Sequence, residues 1–297
     1  MSGNGHLETL DFTSAPARVV SLVPSMTESL YELGAGKSLV GVTEYCPVPA
    51  GVEKRPAVVG GTKTSDPQLI KELSPDLIIA NKEENDRERI EELEAEGLPV
   101  WLTFPRSVRA ALDILYTLVR LFRLKQAVSR LQTLELTLDW AARSAPTDLV
   151  RVFCPIWYQA ESEHGSWWMV SNRDTYQYDM LLKCNGRGLF PDRKRRYPLA
   201  ADLGEAEEEN PGERDQRYPR VRIEQVAAEN PEVILLPSEP FEFNEEHIGL
   251  IRDLLPNSRA VEDDRIHLVD GRLISWHGTR MAQALAELPS LLEPETR

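Results

Sequence analysis

Residues 73–83, LSPDLIIANKE, and residues 229–239, ENPEVILLPSE, repeat one order of polar and apolar positions. In each copy an amphipathic lead-in (Leu69–Leu73, Gln225–Glu229) is followed by a small polar residue, a proline, an acid, four apolar residues and a polar exit. Proline cannot continue a helix and biases its predecessor toward extended backbone, so Pro75 and Pro231 each predict a helix stop. Leu77-Ile78-Ile79-Ala80 and Val233-Ile234-Leu235-Leu236 do not alternate with polar residues. They predict strands buried on both faces, as in a parallel sheet covered by helices. The repetition predicts two similar lobes.

The first lobe opens with a strand at Arg18–Val23 that breaks at Pro24-Ser25. Ser25 or Thr27 is placed to cap the next helix, with Glu28 as the partner in a capping box and Gly34 or Gly36 as the stop. Further strands are predicted at 39–43, 57–59, 76–80 and 99–103, with a charged helix over 83–96. From Ser107 to Ser144 no glycine or proline intervenes, and Val108, Leu112, Leu115, Val119 and Phe122 fall at helical spacing, followed by Val128, Leu131, Leu134, Leu138 and Ala141. A helix of about 20 residues is roughly 30 Å long, so 125–144 is predicted to be a connecting rod. The second lobe has predicted strands at 149–156, 232–236 and 266–269, and a last helix after Trp276-His277-Gly278-Thr279-Arg280. Residues 191–220, rich in charge and proline, predict a long surface loop or lid. The domain reading is an N-terminal α/β lobe at 17–105, a helical segment at 106–145 and a C-terminal α/β lobe at 146–297. The fold class is α/β: two lobes, each a small, mainly parallel sheet flanked by helices, joined by one long backbone helix.

The 297 residues suffice for two lobes, and a net charge of −14 argues against nucleic acid or an anionic membrane as the main partner. No apolar run approaches the ~18 residues that span a bilayer. The N-terminal stretch MSGNGHLETLDFTSAPA lacks the pattern of a secretion signal. Cys46, Cys154 and Cys184 are odd in number and far apart, which predicts neither disulfide nor zinc site and fits a reducing, cytosolic setting. GxSxG, P-loop and strand-borne GxGxxG signatures are lacking, so no catalytic residues are assigned.

The opening RVVSLVPSMTESLYELGAGKSLVGVTEYC, the phrase LSPDLIIA and the later IEQVAAENPEVILLPS resemble the helical-backbone binding proteins. These are the substrate-binding components of ABC importers for vitamin B12, haem and iron-siderophores. The resemblance covers roughly residues 17–290 and implies a non-catalytic protein that holds a metal chelate in a cleft between its lobes. The general rule for open α/β sheets likewise places ligands at the C-terminal ends of strands. The residues expected there are Ser25, Tyr45, Thr62 and Lys82 from the first lobe. Trp157, Tyr158, Trp168, Glu239, Trp276 and His277 are expected from the second. Flat rings suit a corrinoid, a porphyrin or another chelate, although Trp167-Trp168 reads equally well as core packing. Arg173 and Arg196, beside Tyr197, could pair carboxylate or phosphate groups. Of five histidines, His277 is best placed to reach a metal and His164 is second, whereas His6, His247 and His267 look incidental.

Family members that dock on a permease present one carboxylate on each lobe. The repeat puts Gln68 at the first such position and Glu224 at the second, which implies weakened docking to an ABC permease. The primary expectation is a cytosolic, monomeric binding protein for cobalamin, another corrinoid or a related metal chelate, with no covalent cofactor. An importer's component for B12, haem or iron-siderophore, periplasmic or at the cell surface, is the second reading. A chelatase-like enzyme of tetrapyrrole metabolism, using His277 or His164 with Glu239, is the third.

Overall fold

The computed structural model describes residues 14–144 and 146–293. The N-terminal leader reading, His6, and the segment ends at 145 and 294–297 lie outside them. Two compact units emerge: residues 1–136 with 276–281, and 137–275 with 282–297.

In the first unit, strands β1 (Val19–Ser21), β2 (Leu39–Val42), β3 (Ala57–Val58), β4 (Leu77–Asn81) and β5 (Val100–Thr103) form one sheet in the order β3-β2-β1-β4-β5. Every pairing is parallel. The second unit contains β6 (Val150–Phe153), β7 (Pro155–Gln159), β8 (Trp167–Val170), β9 (Gly186–Gly188), β10 (Arg220–Val221), β11 (Val233–Pro237) and β12 (Ile266–Val269). Of these, β12-β11-β6-β9 make a parallel sheet, and β10-β8-β7 a small antiparallel one that the sequence pattern had not disclosed. The predicted strand at 149–156 is therefore two strands, β6 and β7, in different sheets. The long helix Val128–Ser144, preceded by a 3-10 turn at Lys125–Ala127, joins the units.

The duplicated phrase does the same work in both units. All five residues of β4 are buried, as are all five of β11. Each fully buried Val, Leu or Ile contributes about 1.5–3 kcal/mol, so burial of these strands is a large stabilising contribution to each sheet. The residue before each proline is not extended, contrary to expectation: Ser74 has φ 45° and Asn230 φ 48°, both left-handed. The preceding helices, Pro67–Glu72 and Ile223–Glu229, must stop and turn into a strand at that point, and a left-handed residue does this within one step.

An acid then fixes the neighbouring strand. Asp76 accepts the backbone N–H groups of Ala17 and Arg18 at 2.8 and 2.9 Å, while the Asp76 N–H donates to the Arg18 carbonyl at 2.9 Å. Glu232 accepts the Arg151 N–H at 3.0 Å and donates its own to the Arg151 carbonyl at 2.9 Å. In return, Arg18 Nε donates to the carbonyls of Leu73 and Ser74 at 3.1 Å, and Arg151 donates to that of Asn230 at 3.0 and 3.2 Å. Each arginine thus fills carbonyls left open at a helix end while its backbone is held by the acid.

Other elements depart from expectation in identifiable ways. The helix Pro24–Leu33 begins at the proline itself and has no side-chain cap, so neither Ser25 nor Thr27 serves. Glu28 pairs with Arg280 rather than closing a capping box, whereas Gly34 does end the helix with φ 97°. The charged helix runs only from Arg87 to Ala95, capped by Asp86, because residues 83–86 are drawn into a turn. Trp276 and His277, expected in the second lobe, group with the first unit. The segment 191–220 is not a structureless lid: it contains the helix Leu199–Asp202, and its last residue begins β10.

Glu232 is part-buried and also pairs with Arg259 at 2.7 Å, whereas Asp76 is exposed. Glu232→Ala is expected to lower unfolding stability by about 1–3 kcal/mol and Asp76→Ala by about 1 kcal/mol, as read from urea midpoints. Equal costs would mean that burial does not set the strength of this device.

Candidate ligand-binding surfaces

Strand order reverses between β1 and β4 in the first unit and between β6 and β11 in the second, and open α/β sheets bind ligands outside the C-terminal ends of such pairs. In the first unit this edge is organised by two asparagines. Asn85 Oδ1 accepts the Asn81 N–H at 2.7 Å, and Asn85 Nδ2 donates to the carbonyls of Leu22 and Thr62 at 3.0 Å. Asn81 Oδ1 accepts the N–H groups of Glu83 and Glu84 at 2.8 and 3.2 Å. That fixes the amide with Nδ2 toward Thr103 Oγ1 at 3.3 Å and His277 Nε2 at 3.1 Å. Both asparagines sit in NKEEN, an Asn-x3-Asn spacing that could have been read as paired side-chain turns.

His277 Nε2 therefore accepts from an amide, and its lone pair is already in use. Glu84 Oε1 lies 3.5 Å from the same nitrogen, too far for a good hydrogen bond, so the Asn81 contact governs. This contact occupies one of the two ring nitrogens through which His277 was expected to reach a metal. Among the described residues no group of three or more His, Cys, Asp or Glu side chains could hold a metal ion.

Near this edge Ser25 is 2 % exposed, and its hydroxyl has no hydrogen-bond partner among the described residues. Gly278, with φ 124°, passes so close that a Cβ there would lie 2.4 Å from Ser29 Oγ and 3.1 Å from the Ser25 carbonyl. Only glycine fits. Ser29 Oγ donates to the Ser25 carbonyl at 2.8 Å and accepts the Thr279 N–H at 3.1 Å. Tyr45 is 64 % exposed, Lys82 is exposed with Nζ 5.2 Å from the centre of the Phe104 ring, and Thr62 is half-buried. Burial pushes the Cys46 thiol up, against the hydrogen bonds it makes with Thr27 and Thr43.

The second unit carries an aromatic cluster. Trp168 is 1 % exposed, stacked on Tyr158 at 4.1 Å and on Phe243 at 6.1 Å, with Phe153 edge-on at 5.7 Å. It belongs to the core, which corrects its assignment as a ligand residue; its neighbours leave it no open face. Trp157, 39 % exposed, meets Phe241 edge-on at 5.4 Å. Tyr158, Phe241 and His247 complete a half-exposed aromatic shelf over that buried layer. In the β7–β8 register Tyr158 stands opposite buried Trp168, and Phe241 meets the rings of both Tyr158 and Trp157. His247, set aside by sequence, joins the shelf through its packing, whereas Glu239 lies past β11 against Gly271.

The 191–220 segment is anchored by a buried carboxylate that the sequence did not single out. Asp202 is 0 % exposed; it accepts the N–H groups of Arg196 at 3.1 Å and Arg220 at 2.8 Å. Burial pushes this carboxyl up despite those two donors, and burial likewise lowers Arg220 to about 10. Tyr197 lies between the guanidinium groups of Arg195 and Arg214, 4.3 and 4.2 Å from its ring centre, and donates to the Asp215 carbonyl at 2.6 Å. Arg173 pairs with Asp192 at 2.7 Å. His164 Nδ1 lies 2.8 Å from Glu205, which also holds Arg222, so the first acid of the run 205–209 is tied down rather than merely solvated.

Gln68 and Glu224 occupy the same place, the second residue of their helices, and both are exposed. Asp66 is engaged as the first helix's cap, accepting from Gln68 N at 2.9 Å and Leu69 N at 3.2 Å.

The chain belongs to the periplasmic binding protein family, whose sequence profile matches residues 19–269. It is 25 % identical over 281 residues to a vitamin B12-binding protein of Yersinia pestis (strain Pestoides F), covering 93 % of this chain and 89 % of that one. It shares its fold with the periplasmic vitamin B12 binding protein BtuF of Vibrio cholerae, with TM-score 0.68, 21 % identity, and 93 % and 96 % of the two chains covered. The periplasmic heme-binding protein RhuT from Roseiflexus sp. RS-1 gives TM-score 0.67, 22 % identity, and 94 % and 98 % coverage. The two-lobed α/β architecture with its long helix is that of these binding proteins. The cytosolic setting expected from the N-terminal pattern finds no support among them, since the family and both structures are described as periplasmic. No helix among the described residues is long and apolar enough to cross a membrane.

Removing the core ring Trp168 by Trp168→Ala is expected to destabilise the protein by about 3–5 kcal/mol, and Trp157→Ala by far less. Thermal or urea unfolding of the two variants checks this; equal losses would place Trp157 in the core as well.

Proposed function

We propose that this protein is a non-catalytic binding protein for cobalamin, another corrinoid or a related metal chelate. The observation that carries the reading is the half-exposed shelf of Trp157, Tyr158 and Phe241 laid over buried Trp168. An aromatic surface backed by a packed layer is rigid, and it offers a flat ligand large contact area at low entropic cost. Its relatives named for vitamin B12 and heme support the same ligand class. Arg173 and Glu239 of the same unit are further candidates for contact. The chelatase reading is not favoured: His277 Nε2 is occupied by Asn81, and His164 is held by Glu205.

Titrating the purified protein with aquocobalamin, haemin and a ferric siderophore, and following each ligand's visible spectrum, tests the proposal. A saturable change with the corrinoid is expected, weakened by about 1–3 kcal/mol in Trp157→Ala. No spectral change with any of the three would reject it.

We infer further that partnership with an ABC permease rests on Glu224, since Gln68 offers an amide at the equivalent place. A neutral amide makes a weaker contact with an arginine than a carboxylate does. Gln68→Glu is expected to raise association with a B12-type permease in detergent, and Glu224→Gln to lower it. If neither variant alters the amount of permease recovered, docking does not use these helix starts.

A further inference from the structure

Within the second unit, Asp192, Arg193, Lys194, Arg196, Glu208 and Gln216 line an open depression of about 530 Å³. We propose that this depression is a binding site for a phosphoryl oxyanion. It is separate from the aromatic shelf and does not depend on which chelate the shelf takes.

The argument begins with what each charge already does. Four consecutive cations, Arg193 to Arg196, would repel one another unless neighbouring acids compensated them. Arg195 turns away to stack on Tyr197. Arg193 Nη2 donates to the Asp202 backbone carbonyl at 2.7 Å, a neutral acceptor that leaves its charge in place. The Asp202 carboxylate is spent on two backbone N–H groups, Asp192 is engaged by Arg173, and Asp215 is engaged by Arg217. Glu209 lies 3.6 Å from Arg214. Lys194 and Arg196 make no side-chain ion pair or hydrogen bond among the described residues. The fold thus engages Asp192, Asp202, Glu209 and Asp215 with other groups and leaves two cations without a side-chain partner among the described residues, with Glu208 the lining acid that stays unengaged. Burial lowers the Arg193 guanidinium; the nearby Asp202 opposes this and Arg196 adds to it.

The chemical class follows from the donor set. Two guanidinium groups and an ammonium from residues 193–196, with the Gln216 amide from a second stretch, supply more charge and more donors than a monocarboxylate can use. A tetrahedral dianion accepts from several sides at once, whereas a planar monocarboxylate is satisfied by a single arginine fork. The Gln216 Nε2 contact with the Arg195 carbonyl, at 3.1 Å, holds both sides of the depression in register. Glu208, exposed on the rim, opposes an anion, and this gives the site a second diagnostic of opposite sign.

The test is calorimetric titration of the full chain with inorganic phosphate at low ionic strength, beside acetate as the monoanionic control. Saturable phosphate binding is expected, with acetate weaker. Lys194→Gln/Arg196→Gln should weaken it by roughly tenfold or more, and Glu208→Gln should strengthen it, since each change alters charge at close range. Lys194→Gln alone removes an exposed side chain and should leave the melting temperature unchanged while still weakening binding. Repeating the titration with aquocobalamin present separates a free phosphate from the phosphoryl part of a larger ligand: competition indicates the latter, independence the former, and both support the site. Absence of phosphate binding, binding unchanged in the double variant, acetate binding as tightly as phosphate, or weakening by Glu208→Gln would each overturn it.

Discussion

The parallel sheets depend on an exchange between an arginine at the start of one strand and an acid at the start of the next. In each unit the pair joins the two strands about which the strand order reverses: Arg18 with Asp76 before β1 and β4, Arg151 with Glu232 in β6 and before β11. Parallel strands receive no register from a tight turn, since a long crossover separates them. The arginine-acid exchange supplies it, coupling helix end, left-handed residue, proline and strand start into one unit. Hydrophobic burial provides most of the free energy and this polar device selects the register. A one-residue slip would leave the acid without its N–H donors as well as misplacing every side chain.

Once the strand starts are fixed, the opposite edges are fixed too, and function sits there. In the first unit that edge is polar, with Asn81 and Asn85 at the centre of its hydrogen bonds. In the second it leads into aromatic β7 and the arginine-rich segment. Duplicated scaffolds thus present unlike surfaces, one of amides and hydroxyls and one of rings and cations.

Much of the fold was legible because the signals were local. Uninterrupted apolar runs with a proline before them gave β4 and β11, and Gly34 gave a helix end. What escaped depended on distant partners. Nothing near Trp168 in sequence reveals that Tyr158 and Phe243 enclose it, so core and site were indistinguishable there. Strands β8, β9 and β10 are four residues or fewer, too short for a periodicity to register. Asp202 stands in a charged, proline-rich stretch whose composition reads as solvated, and only the returning Arg220 shows it to be an anchor. His277 was placed by chain order in the wrong unit, because its partner Asn81 lies 196 residues away.

That long-range contact bears on the order in which the protein can mature. The first unit includes residues 276–281, which contribute Gly278 against Ser29 and Arg280 against Glu28. A ribosome that has finished the first five strands has therefore not finished the first unit. Until residues 276–281 emerge, Glu28 stays without its guanidinium and Asn81 without its imidazole. Domains generally fold as units during synthesis, N-terminal first; here the N-terminal unit is completed only after every strand of the second has been made.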